Sequence, residues 1–199
     1  MSEVVIIDSG GANITSLDSA LERLGVKATL TRDADVIRSA GHVLLPGVGA
    51  AKDAMARLHD AQLVGLIREL TQPVLGICLG MQLLCERSEE DHVDCLGIIP
   101  GTAHKLQVAD SFPVPNMGWC ATQGIAPHPL FEGIEGGSHF YYVHSYALVV
   151  SEHTIATARH TEPFAASIGK DNFVAAQFHP ERSSTAGARI LKNFLEWSL

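Results

Sequence analysis

Val74-Leu75-Gly76-Ile77-Cys78-Leu79-Gly80-Met81-Gln82 is an apolar run that ends at a cysteine, with a glycine two residues to either side and a helix-forming segment directly after. The spacing predicts a strand, a sharp turn and a helix, with the cysteine at the corner of a Gly-x-nucleophile-x-Gly arrangement. So tight a corner leaves no room for neighbouring Cβ atoms, which the two glycines accommodate. It also sets the thiol at a helix N-terminus, where the dipole and free N–H groups favour the thiolate that a nucleophile needs. A core cysteine closing a buried strand fits the same letters. The reading therefore needs partners elsewhere in the chain.

One partner is Val174-Ala175-Ala176-Gln177-Phe178-His179-Pro180-Glu181, a second apolar run that ends in polar residues. His179 and Glu181 are two apart, so in extended structure their side chains leave on the same face. A carboxylate can then hold one imidazole nitrogen while the other faces a thiol, the nucleophile–base–orienter logic of a triad. Pro180 stops further sheet pairing there. A surface His-Pro-Glu turn is the plain alternative. A third segment, Val43-Leu44-Leu45-Pro46-Gly47-Val48-Gly49-Ala50, runs from a core strand into a glycine-rich turn. Such a turn can aim backbone N–H groups at a developing oxyanion, although an ordinary βα connection reads the same way. It lacks the Lys-Ser/Thr of a phosphate-binding loop.

Outward from these segments, strands and helices alternate through the first half. Strands are expected at 4–7, 27–30, 42–45 and 74–77. Helices are expected at 14–24, closed by Gly25, at 50–58, at 63–70 and after Cys78, with a short one capped by Asp33. That alternation predicts an α/β fold with a mostly parallel sheet flanked by helices. From about residue 97 the pattern changes to short β-like runs at 102–106, 140–143, 147–150, 154–159, 165–168 and 173–177, an antiparallel β extension in the C-terminal half. Residues 184–199 close the chain as an amphipathic helix with Ile190, Leu191, Phe194 and Trp197 on its apolar side. Nothing demands a linker, so residues 1–199 are expected to form one domain. In open α/β sheets the ligand crevice lies at the carboxyl ends of the strands, where Cys78, the 46–49 turn and His179 all fall.

The chain has 199 residues, 46% hydrophobic and 18% charged, enough for a sizeable core. Its formal net charge of −8, with no Lys/Arg cluster, argues against nucleic-acid binding. No run approaches membrane-spanning length, and the N-terminus lacks the basic flank and apolar length of a signal peptide. Cysteines 78, 85, 95 and 120 form no Cys-x-x-Cys pair or zinc spacing, so reduced thiols and a cytoplasmic location are expected.

Gly76-Ile77-Cys78-Leu79-Gly80-Met81-Gln82 together with Gln177-Phe178-His179-Pro180-Glu181 resembles the class I, triad-type glutamine amidotransferases. Pro46-Gly47-Val48-Gly49, Pro115-Asn116-Met117-Gly118-Trp119 and Tyr142-Val143-His144-Ser145-Tyr146 narrow that resemblance to the glutaminase subunits of imidazole glycerol phosphate synthase. The likeness runs from Ile6 to the terminal helix. It implies that Cys78 attacks the side-chain amide of glutamine, with His179 as acid and base and Glu181 as its orienter. The oxyanion would be held by the N–H of Leu79 and by the Gly47–Val48 peptide region, with Val48 as the second donor. Gly47, Gly49, Gln82, His144, Ser145 and Tyr146 would hold the substrate. No metal and no organic cofactor is implied. The ammonia would pass to a (β/α)8 cyclase subunit in a heterodimer that makes imidazole glycerol phosphate for histidine biosynthesis. Asn13, Trp119, Tyr141 and Arg182 would face that partner. The family usually carries Lys at 182, Asn at 120 and Gly at 12, where this chain has Arg182, Cys120 and Ala12.

Three other readings stay open on the residues. An anthranilate-type glutaminase usually carries His-Gln after the elbow glycine and a Pro-Gly-Pro loop, against Met81-Gln82 and Val48 here. A catalytically silent regulatory module need not retain Cys, His and Glu together. A cysteine peptidase could share the architecture. Ser145 lacks an elbow of its own, and His139, His144, His153 and His160 lack metal-ligand spacing. Trp119 and Tyr141 fit core aromatics as readily as a docking face.

Overall fold

The computed structural model describes residues 3–10 and 14–199. The first half delivers β1 (Val4–Ile7), α1 (Ile14–Arg23), β2 (Ala28–Thr31), α2 (Ala34–Ser39) and β3 (His42–Gly47). It continues through α3 (Ala51–Asp60), α4 (Leu63–Arg68), β4 (Val74–Cys78) and α5 (Leu79–Leu84). Two short strands follow, β5 (Arg87–Ser88) and β6 (Val93–Asp94), with a 3₁₀ turn at Glu90–His92 between them. Then come β7 (Thr102–Lys105), β8 (Asn116–Gln123), β9 (His139–His144) and β10 (Tyr146–Leu148). The chain ends with β11 (Thr154–Arg159), β12 (Pro163–Lys170), β13 (Phe173–Ala176), a 3₁₀ turn at Pro180–Arg182 and α6 (Ser184–Glu196).

Nine strands form the main sheet in the order β2-β1-β3-β4-β13-β12-β11-β8-β9, and β10-β7-β5-β6 form a smaller one. Every pairing from β2 to β13 is parallel, and every pairing beyond β13 is antiparallel. The expected α/β sheet with an antiparallel extension is therefore present. β1, β4 and β13 are buried along their whole length, as parallel strands covered on both faces must be. Alternate residues go to opposite sides. Val5 and Ile7 join Met55, Leu58, Ile67 and Met81 under α2 to α5. Val4 and Ile6 join Leu17, Leu21, Ile190 and Phe194 under α1 and α6.

Local signals behave as their chemistry requires. The Asp33 carboxylate accepts from the N–H groups of Asp35 and Val36 and so caps α2. α1 stops before Gly25, whose φ of +76° suits the left-handed turn after a helix. β8 is the main element absent from the sequence expectations. It alternates exposed Met117 and Trp119 with Gly118 and the half-buried Cys120, so it shows no apolar run. It forms because its backbone pairs with β9 from Asn116–His144 to Ala121–His139.

Candidate active site

Cys78 ends β4 and caps α5 with φ +54° and ψ −109°. A non-glycine residue held there stores about 1–3 kcal/mol of backbone strain, which only a well-determined surrounding can hold. Part of that surrounding is the absence of a side chain at Gly80. A Cβ there would collide with the Leu45 carbonyl oxygen of the neighbouring strand. The parallel register sets Gly47 opposite Cys78, so the thiol and the glycine-rich turn emerge side by side. The turn is pinned at both ends. The Ser9 hydroxyl donates to the Pro46 carbonyl at 2.7 Å, and the Ala51 N–H donates to the Glu90 carboxylate at 3.0 Å.

His179 arrives from the adjacent strand, two residues beyond Gln177, and its N–H is held by the Tyr141 carbonyl at 2.9 Å. Its Nδ1 lies 2.8 Å from Glu181 Oε1, with both side chains almost wholly buried. The expected pairing is present, but its geometric basis differs. The strand ends at Ala176, and Pro180 opens a 3₁₀ turn that carries the carboxylate round to the ring; extended i,i+2 spacing is not what joins them. Ser183 closes the turn by donating to the His179 carbonyl at 2.6 Å. Burial pushes the His179 imidazole down, but hydrogen bonds to Cys78 and Glu181 and their charges outweigh it, lifting the pKa to about 10. Thiol, imidazole and carboxylate thus interact in that order.

A cavity of about 470 Å³ opens over this group. Gly47, Val48, Gly49, Leu79, Gln82, His144, Ser145 and Tyr146 all line it with Cys78 and His179. The chain does not run on as one strand through residues 144–146. β9 ends at His144 and β10 begins at Tyr146 in the smaller sheet, so the chain changes sheets at Ser145. Below the cavity floor lies a connected polar network. The Gln82 side-chain N–H₂ donates to the Tyr146 carbonyl at 2.9 Å and to Gln177 Oε1 at 3.1 Å. The same carbonyl lies 2.9 Å from His144 Nδ1. Because a carbonyl only accepts, His144 carries its proton on Nδ1, and its Nε2 accepts from the Asn116 amide at 3.1 Å. Burial pulls the His144 pKa down to about 4, assisted by the charges of His160 and His179 and opposed by the Tyr146 hydrogen bond, so the ring is neutral.

Three members of this site carried no assigned role in the sequence reading. Glu90 brings a carboxylate to the cavity wall from a short turn with no motif around it. Asn116 was quoted within its motif, but its pairing with His144 depends on a long-range register. Gln177 stood inside the quoted His179 segment, and its place between two polar side chains is not visible from spacing.

Trp119 and Tyr141 lie outside the cavity as a cross-strand pair with ring centroids 6.0 Å apart. Trp119 is 52% exposed and Met117 is 64% exposed, so neither is a core residue. The Arg182 guanidinium sits 4.4 Å from the Tyr141 ring centroid and also reaches the cavity wall. Asn13 and Ala12 lie outside the described residues. Among the described residues, no group of three or more His, Cys, Asp or Glu is placed to hold a metal ion, and no helix is long and apolar enough to cross a membrane.

A cysteine at a strand-to-helix corner beside a glycine-rich turn, with a His–Glu pair from the neighbouring parallel strand, defines the class. The chain belongs to the class-I glutamine amidotransferase family, whose profile matches residues 5–197. It is 52% identical over 194 residues to imidazole glycerol phosphate synthase subunit HisH of Escherichia coli strain K12, covering 97% of this chain and 98% of that protein. Against the subunit of the same name from Vibrio cholerae it is 49% identical over 199 residues, again covering 97% and 98%. Solved structures share the fold at much lower identity. One of a glutamine amidotransferase has a TM-score of 0.74 at 19% identity, covering 97% of each chain. One of PurLQS from Thermotoga maritima has 0.71 at 17% identity, covering 98% of this chain and 99% of that one.

Proposed function

We propose that this chain is the glutaminase subunit of an imidazole glycerol phosphate synthase, supplying ammonia to a (β/α)8 cyclase subunit in histidine biosynthesis. The observation that carries the reading is the meeting of Cys78, His179 and Glu181, from two strand ends, beside the Gly47–Val48 turn. About 50% identity to subunits of that name over nearly the whole chain selects the pathway among class-I members.

The cavity takes glutamine with its side-chain amide at the elbow. The Cys78 sulfur attacks the amide carbon, and the C=O electrons move onto oxygen. Leu79 N–H, directly after the nucleophile, and Val48 N–H in the glycine turn stabilise that oxyanion, the latter after a local rearrangement of the turn. The tetrahedral intermediate collapses as His179 gives its proton to the departing nitrogen, leaving a thioester and ammonia. His179 then takes a proton from water, which attacks the thioester and releases glutamate. Glu181 holds the Nδ1 side of the ring throughout, so Nε2 serves the reaction. Gly47, Gly49, Gln82 and the backbone at His144, Ser145 and Tyr146 grip the substrate. Glu90 supplies a carboxylate on the cavity wall suited to its ammonium group. Trp119, Tyr141 and Arg182 form the face that receives the cyclase subunit, which takes up ammonia before water protonates it.

Glutamate release is measured with and without the cyclase subunit. The reading expects feeble release alone, a large rise in the complex, and a loss of at least about 10³-fold in Cys78→Ala. Activity that survives in Cys78→Ala overturns the nucleophile. An unstimulated enzyme overturns the partnership.

A further inference from the structure

Gln177 is fully buried directly after β13 and lies between two residues of the site. The orientation of its amide follows by elimination. The Tyr146 carbonyl can only accept, so the Gln82 group facing it is N–H₂. The second hydrogen of that N–H₂ goes to Gln177, which must therefore present its oxygen, at 3.1 Å. The Gln177 nitrogen is then turned the other way, and it lies 3.8 Å from Cys78 Sγ, within reach of an N–H···S hydrogen bond. Two consequences follow. Both Gln82 hydrogens are committed, so what Gln82 can offer a molecule in the cavity is its carbonyl oxygen. The sulfur receives an N–H from a neutral group on a neighbouring strand, besides its contacts with His179 and with the Val143 carbonyl at 3.7 Å.

We infer that Gln177 is a positioning residue for the reaction: one end of its amide fixes which way Gln82 faces the substrate, and the other steadies the Cys78 sulfur in its charged form. The inference rests on the reading of Cys78 as nucleophile and adds to it. A side chain needed only to fill space would be replaceable by any apolar group of similar volume. A fixed donor–acceptor bridge is not. It couples the substrate-binding group to the nucleophile through one rigid amide with its rotamer enclosed.

The test uses Gln177→Met and Gln177→Glu in complex with the cyclase subunit, with Cys78→Ala as a separate arm. Thermal unfolding and cyclase binding report on folding. Gln177→Met keeps volume and removes both polar ends. It is expected to raise KM for glutamine about tenfold and lower kcat at least about tenfold. Gln177→Glu keeps the oxygen that Gln82 needs but loses the N–H. It is expected to leave KM within about threefold while kcat falls at least about tenfold. In both variants the pH profile of Cys78 alkylation by iodoacetamide should move to higher pH by about one unit, read as a tenfold slower reaction on the rising limb of the profile. Retention of kcat, KM and the alkylation profile within twofold in a folded Gln177→Met overturns the inference. If Gln177→Glu does not fold, the Met variant decides alone. Glutamate release that persists in Cys78→Ala overturns the nucleophile instead, so the two failures are told apart.

Discussion

The parallel strands β1, β3, β4 and β13 and the antiparallel strands β12, β11, β8 and β9 build the same cavity in different ways. Parallel neighbours all end at one edge of the sheet, so consecutive ends deliver Pro46–Gly47, Cys78 and the Gln177–His179 segment side by side. Each arrives by the register of a buried strand, and the chemistry needs nothing from the outer surface. Antiparallel neighbours end at opposite edges, so that half contributes a wall instead, from Val143 and His144, with Asn116 behind His144 across one ladder. Its other face stays exposed, carrying Met117 and Trp119. The proposed reacting groups are thus placed by strand direction, and the exposed aromatic face by long-range pairing.

The largest effect expected from that division comes from Gly80→Ala. Its new Cβ would enter the space of the Leu45 carbonyl oxygen, where backbone and not a flexible side chain would have to move. The elbow and the β3–β4 ladder shift together, so stability should fall by about 3 kcal/mol or more and glutamate release should be lost with it. Met117→Ala, on the exposed outer face, should change stability by no more than about 0.5 kcal/mol. Urea midpoints for both variants check the asymmetry. A Gly80→Ala protein as stable and active as the parent would break it.

The same division explains how far the sequence could be read. The elbow, the glycine turn and the strand before His179 were legible because each is local, a buried β-branched or apolar run meeting a turn residue. The parallel sheet followed from their alternation with helical segments. β8 was not legible as a strand, since one of its faces is solvent and the other polar, and its pairing with β9 is a non-local decision. Gln177, Glu90 and the Asn116–His144 contact share that cause. Each is a polar residue whose role is set by a neighbour far away in sequence. His179 and Glu181 lie between these cases. Their side chains do meet, at 2.8 Å, yet a proline-started 3₁₀ turn replaced the extended geometry that their spacing suggested.

A smaller effect should follow from Glu181→Gln, which keeps shape and removes charge from the ring. Burial pushes His179 down, and Cys78 and Glu181 push it up and prevail, so its folded value near 10 lies above the ordinary 6.5. A raised folded value makes the protonated ring a source of stability, fully present below about pH 6.5 and lost as pH climbs through about 10. The parent's urea midpoint should therefore fall across that window, and Glu181→Gln should fall less steeply because one raising partner is gone. On the proposed mechanism, glutamate release should drop about 10²-fold, since the ring would lose its orienter while the proposed nucleophile and oxyanion donors remain. A variant as steep as the parent would assign the raised value to Cys78 alone.

The smallest effect tests the antiparallel half, at Arg182→Lys. The Arg182 guanidinium carbon sits over Tyr141, 4.4 Å from the ring centroid, and Tyr141 meets Trp119 edge-on at 6.0 Å. A cation on an exposed aromatic contributes about 0.5–1 kcal/mol, and lysine retains the charge while losing the planar stacking surface. The isolated chain should therefore unfold within about 0.5 kcal/mol of the parent. Cyclase binding, followed by titration calorimetry, should weaken by up to about fivefold, the equivalent of losing that stacking at the docked surface. Unchanged binding with unchanged stability would detach Arg182 from docking and leave that role to the exposed Met117 and Trp119 of β8. Tighter binding would mean that the partner reads a point charge at this position and that the stack on Tyr141 opposes it.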